Sequence, residues 1–224
     1  MLAFVLIAIV ASIYYFEQGK VGHDYEISND SNLNAAFDET ASNDFLPANQ
    51  YTPNPNPSLS GYPKVPELEG ITGYINAVPF SLADLRGKVV LVDFWTYSCI
   101  NCVRTQPYLN AWHERYYGDG LVIVGVHTPE FEFEENYENV KNAVEEAGIK
   151  YPVVQDNNYG TWRAFSNRFW PHKYLVDIDG IIRYDHIGEG AYDATEQVIQ
   201  QLLMERGKKL GLDMQMPKIG RAHV

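Results

Sequence analysis

Cys99 and Cys102 are the only two cysteines of the chain, and two residues separate them. A pair at this spacing can close an intramolecular disulfide or offer two ligands to a soft metal. As a structural staple it would do little, because so small a ring removes little chain entropy. As half of a zinc site it lacks the further ligands that zinc takes, since no second cysteine pair exists and the histidines are scattered. Reversible thiol–disulfide exchange is the chemistry left. In that chemistry one thiolate attacks a disulfide, and a second thiol resolves the mixed disulfide that results.

Such a pair must be held by something rigid. Residues 88–95 (KVVLVDFW) are β-branched and apolar throughout, the pattern of a strand buried on both faces. Residues 99–117 then follow helical spacing, with Val103, Leu109 and Trp112 among the apolar positions. The pair therefore falls at a strand-to-helix turn. The first N–H groups of a helix are unpaired and carry the positive end of its dipole, which favours the thiolate at Cys99, the outer position. Cys102, one turn further in, is placed to attack the mixed disulfide at Cys99.

The rest of the chain supplies further elements in order. Strands are expected at 121–128 and 151–155, and helices at 134–147 and 159–165, with Gly148 as a C-cap. Two more strands flank an Asp-Gly turn in KYLVDIDGIIRYDHIG, and an amphipathic helix closes over 192–209. Ahead of them, residues 71–88 read as a short hairpin and turn. The sum is an α/β domain over residues 62–212, a mixed sheet with helices on both faces.

Upstream the composition changes. Residues 2–16 form one apolar run ending in Tyr14, Tyr15 and Phe16. As a helix it would reach roughly 22 Å, short of the ~30 Å hydrocarbon core, with its aromatics where an interfacial belt lies. It has no basic leader and no clear cleavage site, so residues 1–16 are expected to be a membrane anchor or the last span of a larger membrane domain. Residues 17–61, rich in Asn, Ser, Asp and Pro, read as a flexible polar linker. At the other end, residues 219–224 (IGRAHV) spell the translation of a common sequencing adapter, so 213–224 is expected to be a truncated tail with an artefactual end. The formal charge of −12 argues against nucleic acid or an anionic membrane surface as partner.

The motifs VDFWTYSCINC and, in order, TYSCINCVRTQPYLNAW, GVHTPEF, WPHKYLVDIDG and IGEGAYDATE resemble the thioredoxin superfamily, its TlpA/ResA-like branch, and within that the redox domain of DipZ-type cytochrome c biogenesis proteins. The resemblance covers about residues 82–203. It implies a thioredoxin-like fold with a central TlpA-type insertion at 131–151, no cofactor, and no bound metal. It implies Cys99 and Cys102 as the catalytic pair, and Asp93 as the buried acid that relays a proton to the second cysteine. A carboxyl in an apolar strand should have a raised pKa, which suits that role. It also places an active-site glutamate at Glu130, in a stretch crowded by Glu132, Glu134 and Glu135. Pro171 matches the cis-proline facing the pair, with the Trp170 backbone exposed to an extended substrate. Trp95 and Tyr97 are expected to shape the site, and His127 to be a satisfied core or edge histidine. Arg104 and His172 carry no assigned role.

The function implied is a membrane-tethered, extracytoplasmic thiol–disulfide oxidoreductase, a reductase of protein disulfides such as those of apocytochrome c. Its electrons would come from a membrane carrier of the CcdA/DsbD type, fused or separate. Two rivals are weighed against it. Thr96 and Cys99 have the T-x-x-C spacing of peroxiredoxins, but Val92 stands where their proline would, and Cys102 lies one turn away rather than distant. A copper-binding assembly factor of this fold would use a wider cysteine spacing and a histidine.

Overall fold

A computed structural model describes residues 63–216. The expected anchor at 1–16, the whole of the linker at 17–61 with its neighbour Tyr62, and the adapter-like end at 219–224 lie outside the described residues. Among the described residues no helix is long and apolar enough to cross a membrane.

Six strands, β1 (Gly73–Ile75), β2 (Val89–Trp95), β3 (Leu121–His127), β4 (Val153–Gln155), β5 (His172–Val176) and β6 (Ile182–Ile187), form one sheet in the order β1-β4-β3-β2-β5-β6. β2, β3 and β4 run parallel, while β1 and the β5–β6 pair are antiparallel to their neighbours. The helices are α1 (Ile100–Tyr116), α2 (Tyr137–Glu146), α3 (Gly160–Ala164) and α4 (Tyr192–Leu210), with short 3-10 turns at Leu82–Leu85 and Glu132–Glu135. The expected mixed sheet with helices on both faces is what forms.

Strand period decides which side chain meets which helix. On β2, Val89, Leu91 and Trp95 join a core built with Leu109, Trp112 and Tyr116 of α1, Val140 and Val144 of α2, and Val198, Ile199, Leu202 and Leu203 of α4. Val90, Val92 and Phe94 point the other way, into a core with Leu82, Phe165 and Tyr174. The α1 residues that are buried, at 102, 105, 106, 109, 112 and 116, keep to one helical stripe.

Two local expectations change. Residues 71–88 make no hairpin: β1 pairs with β4, with Tyr74 opposite Val154. A three-residue strand has too little pairing of its own and takes the open edge of a sheet assembled from distant segments. The helix expected over 134–147 divides into the 3-10 turn and α2, with Asn136 between them accepting from the Asn139 N–H as N-cap. The inserted stretch at 131–151 thus contributes α2 and leads into β4.

Candidate active site

The carboxyl end of β2 runs into the turn that holds the cysteines. The Cys99 N–H donates to the Thr96 carbonyl (3.3 Å), and the Cys99 carbonyl accepts the first helical bond from Val103 N–H (3.0 Å). Cys99 is thereby the N-cap of α1, partly exposed, while Cys102 is 1% exposed on the stripe facing the sheet. Both are free thiols. Burial pushes the Cys102 thiol well above its ordinary range, outweighing a bond from the Thr96 backbone, and the nearby Asp93 and Cys99 push it the same way.

Asp93 lies on β2 with the period of Leu91 and Trp95, so it faces α1 and Cys102. It is buried, and neither of its carboxyl oxygens has a hydrogen-bond partner. Burial raises its pKa from 3.8 to about 7, and Lys173 pulls in the opposite direction. Lys173 sits directly across the sheet on β5, in register with Asp93, on the face shared with Leu175. It is fully buried, and its Nζ donates to the Gly188 carbonyl (2.9 Å). Burial depresses the Lys173 ammonium, while Asp93 and Cys102 support it. On the other side, β3 places Gly125 opposite Asp93, and a side chain there would crowd Trp95 Nε1 at 3.0 Å. The result is a buried pocket holding one carboxyl, one amine and one thiol.

Lys173 was absent from the expected site. The signal was available: a lysine inside HKYLV, two residues from the core Leu175, must point its amine into the sheet's covered face. Only strand pairing, however, reveals that this face is the one with Asp93.

Trp170 and Pro171 precede β5, and their peptide bond is cis. Because His172 pairs with Phe94, Pro171 lies beside the end of β2 and the start of the cysteine turn. The Trp170 indole donates to the Thr128 carbonyl (3.1 Å), and the Pro171 carbonyl accepts from Gly188 N–H (2.7 Å). Gly188 therefore ties both Pro171 and Lys173 to one loop.

Glu130, expected as an active-site glutamate, follows the end of β3. Its side chain is exposed, and the buried carboxylate of this segment is Glu134. Glu134 accepts from Ser98 Oγ (2.6 Å) and N–H (3.3 Å), and from the N–H groups of Glu130 (2.6 Å) and Phe131 (2.9 Å). Burial alone would raise its pKa, but bonds from Ser98, Thr96, Phe131 and Glu130 prevail and hold it below 4.5. The 3-10 turn Glu132–Glu135 brings its third residue, Glu134, back onto the N–H groups of Glu130 and Phe131. His127 is buried, with Nε2 3.4 Å from Thr96 Oγ1, and burial lowers its pKa to about 4 despite Glu134.

Trp95 packs in the core and Tyr97 stacks on His127 (5.7 Å between centroids). Arg104 pairs with Glu189 at the surface (3.3 Å). His172 is buried between Asn167 Oδ1 (2.5 Å), the Tyr174 hydroxyl (2.9 Å) and Asp185 (2.8 Å), a network that anchors β5.

Residues 64–185 match the AhpC/TSA family. The chain is 46% identical over 155 residues to the protein DipZ of Mycobacterium tuberculosis, covering 68% of this chain and 22% of DipZ. It is 31% identical over 121 residues to the thiol-disulfide oxidoreductase ResA of Bacillus cereus, covering 54% of this chain and 67% of ResA. A crystal structure of a thiol-disulfide isomerase from Corynebacterium glutamicum superimposes with a TM-score of 0.56 at 26% identity, over 62% of this chain and 96% of that one. The chain thus spans about a fifth of the length of the DipZ proteins it matches.

Proposed function

The chain belongs to the AhpC/TSA family, and from that premise we propose that it is a thiol–disulfide oxidoreductase working through Cys99 and Cys102. The observation that carries the reading is the pairing of a partly exposed N-cap thiol with a buried thiol one turn inside, backed by the Asp93–Lys173 pocket. The Cys99 thiolate attacks one sulfur of a substrate disulfide, giving a mixed disulfide and releasing the other sulfur as a thiolate. Cys102 then attacks Cys99 Sγ, the intramolecular disulfide forms, and the second substrate sulfur leaves. Two electrons pass to the substrate, and its thiolates take up two protons.

The resolving step needs Cys102 without its proton, which burial opposes. Asp93 is the acceptor, since a carboxyl poised near 7 can hold or release a proton at working pH. A thiolate and a carboxylate side by side would repel. Passing the proton from Cys102 to Asp93 keeps one negative charge in the pocket, and Lys173 faces that charge in either location. Trp170 and Pro171 form the face that receives the substrate backbone, and Glu130 lies on the rim.

The reading extends to the whole protein as follows. Residues 1–16 tether the domain, the redox site works outside the cytoplasm, and a membrane carrier of the CcdA/DsbD type returns it to the dithiol. Protein disulfides, those of apocytochrome c among them, are its substrates. The apolar run, the polar linker and the likeness to DipZ support these parts.

The decisive experiment substitutes Cys102→Ser and offers a disulfide-bearing protein. Expected is a stable mixed disulfide at Cys99, seen by mass spectrometry and absent in Cys99→Ser. Hydrogen peroxide turnover through a sulfenic acid at Cys99, with no disulfide exchange, would overturn the assignment. Equilibration of the wild-type pair with dithiothreitol buffers then gives the direction: a potential near about −270 mV marks a reductant and one near about −120 mV an oxidant.

A further inference from the structure

The segment between β3 and α2 reads Pro-Glu-Phe-Glu-Phe-Glu-Glu-Asn, residues 129–136. Drawing Glu134 inward to bond Ser98, Glu130 and Phe131 leaves the two phenylalanines turned outward. Phe131 is 51% and Phe133 53% exposed, and their rings stack at 5.5 Å, nearly parallel at 6°. Stacked phenylalanines half in water gain little for the fold, and a contiguous apolar surface of this kind marks a place of contact.

The surface leads to the nucleophile. Phe133 meets Tyr97 edge-on at 6.1 Å, and the Tyr97 hydroxyl donates to the Phe133 carbonyl (3.3 Å). Tyr97 in turn is braced by its stack on His127. Cys99 is two residues on, and beyond it Ile100 (58%) and Val103 (50%) are also exposed. The aromatic ledge is therefore fixed at the residues just before the attacking sulfur, by the buried carboxylate bonded to Ser98.

The ledge is also acidic. Glu130, Glu132 and Glu135 are exposed along it, and residues 127–140 contain no lysine or arginine. Their field reaches inward: the Tyr159 phenol, raised first by burial, is raised further by Glu134, Glu130, Glu135 and Asp156. A second copy of this chain would set these carboxylates against one another, so the occupant must bring positive charge.

We propose that Tyr97, Phe131 and Phe133 are a docking ledge for the polypeptide carrying the target disulfide, and that it selects cysteines neighboured by an aromatic or large apolar side chain and by lysine or arginine. This deepens the reading of the chain as a thiol–disulfide oxidoreductase and rests on it. Apolar contact on the ledge holds the segment beside Cys99, while the glutamates steer it in and repel acidic competitors. The contact is small, as suits a partner that must leave after each exchange.

The test uses the pre-reduced full chain in single turnover, so its own dithiol supplies the electrons. Three oxidised probes are compared: 2-hydroxyethyl disulfide, a short peptide closed by one disulfide with Trp and Lys beside its cysteines, and the same peptide with Ala and Glu there. Expected is a second-order rate constant about tenfold higher for the Trp/Lys peptide than for the Ala/Glu peptide, with the advantage shrinking as salt is raised. In Phe131→Ser/Phe133→Ser the ratio of the Trp/Lys peptide rate to the 2-hydroxyethyl disulfide rate should fall about tenfold. In Glu130→Gln/Glu132→Gln/Glu135→Gln the salt dependence should flatten. Equal rates for the two peptides, or an unchanged ratio in the phenylalanine variant, would overturn the ledge while leaving the oxidoreductase reading in place. A wild-type chain that reduces none of the three probes would remove both. A dimer of the wild-type chain that dissociates in the phenylalanine variant would assign the ledge to self-association instead.

Discussion

Asp93 should make the protein less stable and more active at the same time, and pH separates the two effects. Its pKa rises from 3.8 to about 7 on folding, because burial disfavours the carboxylate. Between those values the native state keeps a proton that the unfolded chain has released. Wherever the native state binds more protons, stability falls as pH rises. The penalty is therefore absent below about pH 4, grows towards pH 7 and is complete above it. At ~1.4 kcal/mol per pKa unit it amounts to about 4 kcal/mol. Asp93→Asn removes the titration while keeping the shape. Urea unfolding of both proteins at several pH values between about 4 and 8.5 gives the difference between them, in which titrations common to both, such as that of His127, cancel. The Asn variant should gain about 4 kcal/mol on the wild type across this range, whatever its offset at low pH. It should also resolve mixed disulfides about 10²-fold more slowly, because Cys102 has lost its proton acceptor. A stability difference that changes by less than about 1 kcal/mol from end to end would refute the placement of a lone, titrating carboxyl in this pocket.

Further outcomes follow from the neighbouring groups. Lys173→Met removes the charge that pulls Asp93 down, so the Asp93 carboxyl should titrate above about 7 by NMR and the rising limb of the pH–rate profile should move the same way; a fall in the Asp93 pKa would contradict this. Glu134→Gln loses charge-assisted bonds to Ser98, Glu130 and Phe131 and should cost about 2 kcal/mol near neutral pH. Because the Glu134 pKa is lowered on folding, that contribution is present above pH 4.5 and is lost as pH falls through the folded value, so the two unfolding curves should converge in acid. In the reduced protein, iodoacetamide should label Cys99 rapidly and Cys102 far more slowly, as the burial of Cys102 requires; equal labelling would argue against a buried resolving thiol.

Local chemistry was legible in the sequence. Two cysteines two residues apart, after an apolar β-branched run and at the start of a helical pattern, can be read without knowing what lies across the sheet. The spacing fixes their separation along one helical turn, and the strand period alone puts Asp93 on the same face as Leu91 and Trp95. These properties depend on residues within a turn or a strand of each other, and β2, α1, β3 and α4 accordingly fall close to where their patterns placed them. What the sequence left open depends on contacts between distant segments. Lys173 lies eighty residues beyond Asp93 in the chain, and only the antiparallel β2–β5 register makes it the partner of that carboxyl. Which of Glu130, Glu132, Glu134 and Glu135 turns inward is decided by a 3-10 turn and by the donors of Ser98, which the residue types do not distinguish. The edge pairing of β1 with β4 is of the same kind. Periodicity reports the face a residue takes on its own element, whereas pairing between elements is set by the packing of the whole sheet, and it was that packing which gave the dithiol its buried carboxyl and amine.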